Sequence, residues 1–391
     1  MRLVISKLIR SKVEEESVLD DKQFTRIFKE KILLFAALLS ARHLRRKNRT
    51  YFNNCNSKWL KAVLGRHFYN KVLNYLLANN IIEANNHYTV AHFPKSYRVK
   101  AEFLTDLEAT DFDYTPKAVR FDPKECPFLD GVTFSAAGRE AYEKKLRRLR
   151  KHWRRQCYIY NFEAVCNKDW WCTVADNSGR LFSNITSLPK DLRKHLLIEG
   201  EETVEIDIRN SQPFFALALY PSESEERNRY KDLVQSGLFY EKINNCLKKP
   251  ILLNDDNARG RLKKRVFKEI FFGHVSEKYS LWIAFKRMFP ELATIIETMK
   301  AGHHNQFAIH LQKTEATAII SGVLQEAGRR NLPILTVHDS VICRAKDAHE
   351  VEKVMNAHVE RVVGEKPRLK LVVSEDLAEN TGKYSSIERG A

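Results

Sequence analysis

The sequence predicts an α+β chain in three stretches: a mostly helical N-terminal region over residues 1–104, an irregular linker over 105–137, and a larger mixed part over 138–391. Three observations carry that expectation. From Asn56 to Val99 the pattern runs helix, turn, helix, hairpin. Between 105 and 137, Asp, Pro and aromatic residues cluster without a period, as in Asp111-Phe112-Asp113-Tyr114-Thr115-Pro116. Beyond that, long amphipathic helices are interrupted by short apolar strands, at Val204–Ile208 and Ile334–Cys343.

The bulk numbers narrow the partners. A 43% hydrophobic, 10% aromatic chain of 391 residues is globular and has room for several cores. Its formal charge of +17, from 66 Lys and Arg against 49 acids, points to a polyanion, nucleic acid before membrane. The longest apolar run, near Ile32–Ala41, is too short to span a bilayer and has no signal-peptide context, so a cytoplasmic protein is expected. Seven scattered cysteines with no CxxC pair indicate neither a zinc site nor a disulfide framework.

In chain order, a helix is expected from about Phe24 to Arg45, leading into the basic run Arg42–Arg49. Asn56 or Ser57 caps a short helix that Gly65 stops, and Arg66–Ala78 forms a second with Phe68, Val72, Leu73, Leu76 and Leu77 inward. A strand at Ile81–Ala84, a return at His87–Val90 and a further strand at Ser96–Val99 come next. That order resembles a winged helix-turn-helix, whose second helix could enter a major groove; a small α+β packing module has the same pattern. Gly138–Arg155 reads as a strongly basic helix suited to a nucleic-acid backbone. After it come a strand around Cys157–Phe162, a polar turn at Asp176–Asn184 and a helix at Leu188–Leu197.

The stretch Thr203–Leu219 delivers Asp207 at the end of an alternating strand and turns through Arg209-Asn210-Ser211 into a Pro-led apolar helix. An aspartate there either caps the helix or holds a metal. In the helix that begins near Ala258, Arg261, Lys264, Arg265, Lys268 and Phe272 share a stripe about 100° wide, opposite Leu262, Val266 and Ile270. A cationic face finished by Phe271, Phe272 and Gly273 suits a triphosphate with a base to stack. A long helix, about His303–Arg329, carries Gln312 and Glu315 one turn apart, and Ile334–Cys343 forms a hairpin with His338 and Asp339 at its bend.

Two strand-borne aspartates thus bracket a cationic helix. Two-metal phosphoryl transfer needs carboxylates for the ions and fixed positive charge for the triphosphate. In this order the residues resemble the palm and fingers of the family A polymerases, the group of bacterial repair-type DNA polymerases and single-subunit phage-type RNA polymerases. Asp207 is similar to their first motif, Lys264 through Phe272-Gly273 to the fingers-helix motif, His338-Asp339-Ser340 to the last, and Gly179-Arg180-Leu181 with Ser183 to the template-strand motif. The resemblance spans about residues 170–345. It implies a right-hand palm with compact helical fingers over about 221–302 and a thumb-like basic helix. Asp207 and Asp339 would be catalytic and, with the Ile208 carbonyl, would hold Mg2+, or Mn2+ in its place. Lys264, Arg265, Lys268, Phe272, Gln212 and Arg261 would meet the nucleotide; Arg180, Gln312 and His338 would touch template or primer.

This chain also departs from the pattern. Asp207 is followed by Ile-Arg-Asn-Ser-Gln-Pro, not by the Ser-Gln-Ile-Glu string whose Glu crowds a ribose 2′-hydroxyl in DNA-making members. His-Asp-Ser is the RNA-making form of the last motif, yet Phe272 lacks the hydroxyl of the phage-type Tyr, and the Arg expected four residues before Lys264 falls on Gly260. The choice between dNTP and NTP stays open. The expected protein is a template-directed nucleotidyltransferase, a DNA polymerase with primer synthesis as a variant, replicating a plasmid, phage or other mobile element. Its partners would be a single-stranded or primed template, nucleoside triphosphates and a replication accessory protein. The alternative is a non-catalytic winged-helix replication initiator carrying a degenerate palm.

Overall fold

A computed structural model describes residues 2–19, 25–45, 52–85, 95–112, 126–253, 255–372 and 388–389. The chain forms two compact units, Met1–Cys172 with Ser183–Gly200, and Thr173–Phe182 with Glu201–Ala391. This division departs from the sequence expectation, which placed a boundary at 105–137 and assigned everything from 138 onward to one domain.

The first unit opens with β1 (Arg2–Ser6), α1 (Lys7–Leu19) and α2 (Arg26–Leu44). α2 is capped by the Thr25 hydroxyl, which accepts from the Phe28 N–H at 3.2 Å. It is apolar on most of its circumference because other elements pack around it, with β1, β4 and α4 among them. The next elements are β2 (Asn53–Asn54), α3 (Ser57–Leu64), α4 (Tyr69–Ala78), β3 (Ile82–Asn85) and β4 (Ser96–Val99). Asn56 caps α3, accepting from the Trp59 N–H at 2.7 Å, and Gly65 at φ 85° ends it. α4 starts at Tyr69, three residues later than expected. β2 and β3 flank β4 in a three-stranded antiparallel sheet, with Asn53 opposite Tyr97 and Ile82 opposite Val99. The expected return strand His87–Val90 and residues 46–49 of the basic run lie outside the described residues.

The stretch expected to be a linker contributes β5 (Leu107–Asp111), which pairs with β1 so that Ile5 faces Glu108. Leu-Glu-Ala-Thr-Asp has too little β-branched character to announce a strand; the partner decides it. After β6 (Val132–Phe134), the basic segment forms α5 (Ala136–Arg148), which exposes Arg139, Lys144, Lys145, Arg147 and Arg148. The chain breaks at 149–151 and continues as α6 (His152–Cys166). The strand expected at Cys157–Phe162 is therefore a helix. Its alternating burial at Gln156, Tyr158 and Tyr160 mimics a strand because α2, α5, β1, β5 and β6 surround it. β7 (Cys172–Val174) and β8 (Leu181–Ser183) form a short hairpin around Gly179. The helix expected at Leu188–Leu197 is instead α7 (Asn184–Ser187), α8 (Lys190–Arg193) and a strand, β9 (Leu196–Ile198), paired with β6. Pro189 cannot continue a helix, and β6 recruits the apolar residues beyond it. No disulfide forms among the described residues; the Cys126 and Cys172 sulfurs lie 3.3 Å apart as thiols.

The second unit is built on β10 (Glu201–Ile208), followed by the short α9 (Ser211–Phe215), α10 (Glu225–Ser236) and α11 (Phe239–Asn245). α12 (Asp256–Val266) runs on into a wide π turn over Phe267–Phe272, and α13 (Ser280–Met288) and α14 (Pro290–Lys300) come after it. The long helix is α15 (Gln306–Ala316) and α16 (Gln325–Arg329), joined through a second π stretch over Thr317–Leu324. β11 (Ile334–Val337), β12 (Ser340–Arg344), α17 (Ala348–Val363) and β13 (Leu369–Val372) complete it. In the sheet, β10 lies between β12 and β13, all antiparallel, with β11 outside β12. Val204, Ile206 and Ile208 point into the core, so Glu205 and Asp207 share the opposite, partly open face. No described helix is long and apolar enough to cross a membrane.

Candidate active site

Every residue singled out for nucleotide chemistry lies in the second unit. Asp207 stands directly opposite Ser340 across the β10–β12 pair. Val337 pairs with Ser340, so His338 and Asp339 form the entire two-residue loop of the β11–β12 hairpin. The residue before Asp207's cross-strand partner is therefore Asp339, and register alone brings the two carboxylates to one sheet end. The main chain adds a third oxygen. Arg209 donates its N–H to Arg368 O at 2.9 Å, which makes 209 and 368 a hydrogen-bonded pair on the β13 side. By the alternation of an antiparallel ladder, the Ile208 carbonyl turns the other way, toward position 339, where β12 has already given way to the loop. His338 adopts φ 58°, in the left-handed region that glycine favours at such a loop. Phe182 packs edge-on against its ring, 5.4 Å between centroids.

Among the described residues no three His, Cys, Asp or Glu side chains stand at metal-binding spacing. What could serve as donors at this sheet end are two carboxylates and a carbonyl. Such a set suits Mg2+, which takes few protein ligands and completes its shell with water and substrate phosphates.

Beside the aspartates lies a buried polar cluster that the sequence reading only partly anticipated. Glu315 is 1% exposed. It accepts from Arg180 Nε at 2.7 Å and Nη2 at 2.6 Å, and from Gln212 Nε2 at 2.7 Å. Burial pushes the Glu315 carboxyl up to about 7, against the pull of Arg180, and the charge of Asp339 adds to the push. Arg180 and Gln212, expected to touch template and nucleotide, thus place Nε and Nη2 of the one and Nε2 of the other on Glu315, while the buried Gln212 Oε1 has no hydrogen-bond partner among the described residues. Gln312 sits one turn before Glu315, half-buried and without a side-chain hydrogen bond among the described residues. A charge in the apolar series Phe307, Leu311, Glu315, Ala318 is the signal that could have flagged Glu315.

The cationic helix has the expected two faces. Leu262, Val266 and Ile270 are wholly buried; Arg261, Lys264 and Lys268 are exposed, with no side-chain hydrogen bond or ion pair among the described residues. Arg265 differs: it donates to the buried Glu269 at 2.8 Å, and Glu269 in turn accepts from the Leu281 N–H. Phe271, expected as aromatic surface, is core; Phe272 is 37% exposed and stacks on Phe267 with centroids 5.1 Å apart. The wide turn closes with the Gly273 N–H on Lys268 O at 3.0 Å. A Cβ at Gly273 would strike that same carbonyl, so only glycine fits.

Two further residues support this helix. Lys300, 7% exposed, donates through Nζ to Ile270 O and Gly273 O, both at 2.7 Å, and satisfies the carbonyls at the helix end. Burial lowers its ammonium to about 8. It occupies an apolar position after Leu292 and Ile296, a misfit visible in sequence. Tyr240, 1% exposed, lies under Arg259 and Lys263; burial raises its phenol, and the charge of Asp339 contributes. Lys300→Met is expected to leave those two carbonyls unpaired and to destabilise the protein by about 2–4 kcal/mol, measured by urea unfolding.

No family model matches the chain, and no curated protein matches it. Among solved structures it is similar to the polymerase domain of Pol1 from M. smegmatis, determined in complex with DNA primer-template and dNTP. The identity is 12% and the TM-score 0.40, over 94% of this chain and 66% of that one. This chain therefore spans just under two thirds of that domain's length.

Proposed function

We propose that the second unit is a template-directed nucleotidyltransferase that extends a 3′-hydroxyl on a single-stranded or primed template. The observation that carries the reading is the register of β10 against β12, with Asp207 opposite Ser340 and the Ile208 carbonyl directed to position 339. Asp207, Asp339 and Ile208 O would hold Mg2+, with Mn2+ able to replace it. When bound, the metal lowers the pKa of the attacking hydroxyl and offsets charge on the pyrophosphate that leaves.

The chain's own residues then do the positioning. Arg261, Lys264 and Lys268 bind the triphosphate along the exposed face of α12, and Phe272 offers its ring to the incoming base. The 3′-hydroxyl gives its proton to water as its oxygen attacks the α-phosphorus, the α–β phosphoanhydride bond breaks, and pyrophosphate departs with the bond's electron pair. Glu315 positions Arg180 and Gln212 behind Asp339, and His338 projects from the same loop toward template or primer. The corresponding role is replication of a mobile element as a DNA polymerase, with primer synthesis as a variant and an accessory protein as partner.

The test is incorporation of labelled dNTPs or NTPs by the purified protein on single-stranded and primed templates, with Mg2+, Mn2+ or chelator. Metal-dependent, template-directed extension is expected. Salt-sensitive DNA binding without incorporation would replace this reading with the non-catalytic initiator, which the element order of the first unit favours. Lys264→Ala is expected to raise the KM for nucleotide by about 10- to 100-fold, the worth of one charge-assisted phosphate contact, in steady-state extension.

A further inference from the structure

The first unit holds a pair of thiols that the proposed chemistry does not use. The sulfurs of Cys126 and Cys172 stand 3.3 Å apart although 46 positions separate them in the chain, and both side chains are half-buried. A disulfide needs about 2.05 Å, so each sulfur has to move by roughly 0.6 Å, a distance that a change in χ1 can cover. The segments that carry them are fixed side by side by contacts independent of sulfur. Trp170, two residues before Cys172, donates its Nε1–H at 2.9 Å to Asp130 Oδ1, in the 3₁₀ turn Leu129–Gly131 just after Cys126. The Leu129 N–H closes that turn on Cys126 O at 3.4 Å. On the other side, the Trp171 N–H donates to Asn184 Oδ1 at 2.8 Å, and Asn184 Nδ2 donates to Asp169 O at 2.9 Å. Cys172 then enters β7, which pairs with β8. The surroundings thus hold the two thiols together before any bond forms between them. No CxxC spacing announces the pair, because the fold and not the local chain brings it together.

We infer that Cys126 and Cys172 are an oxidative modification site, a reversible disulfide formed by exchange with a low-molecular-weight disulfide. The thiolate of one cysteine attacks a sulfur of the small disulfide, whose S–S bond breaks and releases one small thiolate. The thiolate of the other cysteine then attacks the protein sulfur of this mixed disulfide and releases the second small thiolate. Two protein thiols lose two electrons, the small disulfide gains them, and the two protein protons pass through solvent to the departing thiolates. The bridge would close β6, α5 and α6 into one covalent ring, which ends at the residue from which the chain passes into the second unit. In a reducing compartment such a bond forms transiently and reports on the thiol–disulfide balance. This inference is independent of the nucleotidyltransferase reading.

The test is incubation of the full-length protein over a series of oxidised-to-reduced glutathione ratios. Remaining thiols are then capped with N-ethylmaleimide, and the protein is mapped by mass spectrometry and unfolded by heat. A peptide cross-linked between Cys126 and Cys172, free of glutathione, should accumulate as the oxidised fraction of glutathione rises. Ring closure should raise the unfolding midpoint by about 5–10 °C over the reduced form, and dithiothreitol should reverse it. Cys126→Ser should abolish both the cross-link and the shift and leave Cys172 holding a single glutathione; Cys172→Ser should leave Cys126 holding one. Reduced variants that unfold at the temperature of the reduced wild type establish that they fold. Four results in the wild-type protein, which need no variant, would overturn the inference: both thiols unchanged at every ratio, separate glutathione adducts at the two positions with no cross-link, a bridge from either residue to another cysteine, or a cross-link that forms only in urea.

Discussion

Alanine at Asp207 or at Asp339 is expected to lower metal-dependent nucleotide incorporation by about 10³-fold or more, with the fold intact. The magnitude rests on the donor set. In the proposed site the protein would offer two carboxylates and one carbonyl, from the end of β10 and the β11–β12 loop, so either change would halve its negative charge toward a metal. Losing about 4 kcal/mol of transition-state stabilisation is a factor of about 10³. Both side chains sit on partly open positions, so thermal unfolding should move little. Single-turnover extension on a primed template measures the effect, and variants that extend as fast as wild type would rule out the proposed chemistry.

Glu315→Ala should be the most damaging change to stability in the second unit, by about 3–5 kcal/mol in urea unfolding. It leaves the Arg180 guanidinium, whose side chain is 17% exposed, without its bidentate partner and strips Gln212 of its acceptor. Glu315→Gln keeps the shape and should cost less, and it isolates the charge. The folded carboxyl titrates at about 7 against an ordinary 4.5. Between those values the folded chain holds a proton that the unfolded chain has released, so this group's contribution to stability falls as pH rises across the window and is constant above it. The span amounts to at most about 3 kcal/mol. Urea midpoints at pH 5 and pH 8 should differ more for wild type than for Glu315→Gln; equal differences would show that Glu315 is ionised throughout.

How much was legible in the sequence depended on whether local residues or distant partners decided an element. α3 was readable end to end because Asn56 and Gly65 are themselves the physical causes of its boundaries. The two faces of α12 were readable because period and polarity agree. α6 was not, since burial on several sides erased the helical period, and β5 and β9 were not, since their partners β1 and β6 lie far away in the chain. At the candidate site, Asp207 and Asp339 could be named from their strand and loop contexts. Their adjacency needed the register. Glu315 and Lys300 each replace an apolar residue in an otherwise regular stripe, and what they bind, Arg180 in one case and two helix-end carbonyls in the other, is decided by tertiary structure.

The two π stretches have a consequence for how this chain tolerates change in length. A π stretch is an α-helix that has absorbed one extra residue without losing the phase of its flanks. Each is accompanied by a glycine in close contact: Gly273 against the carbonyl of Lys268, and Gly322, where a Cβ would come within 2.7 Å of His358 Nδ1. Substitution and deletion should therefore give opposite results. Any side chain at Gly273 forces the turn open, whereas removing one residue from Thr317–Leu324, which has α-helix on both sides, restores ordinary winding and keeps α15 and α16 in phase. A scan of single-residue deletions would find Thr317–Leu324 to be a place where a helix of this protein can lose a residue and keep its shape.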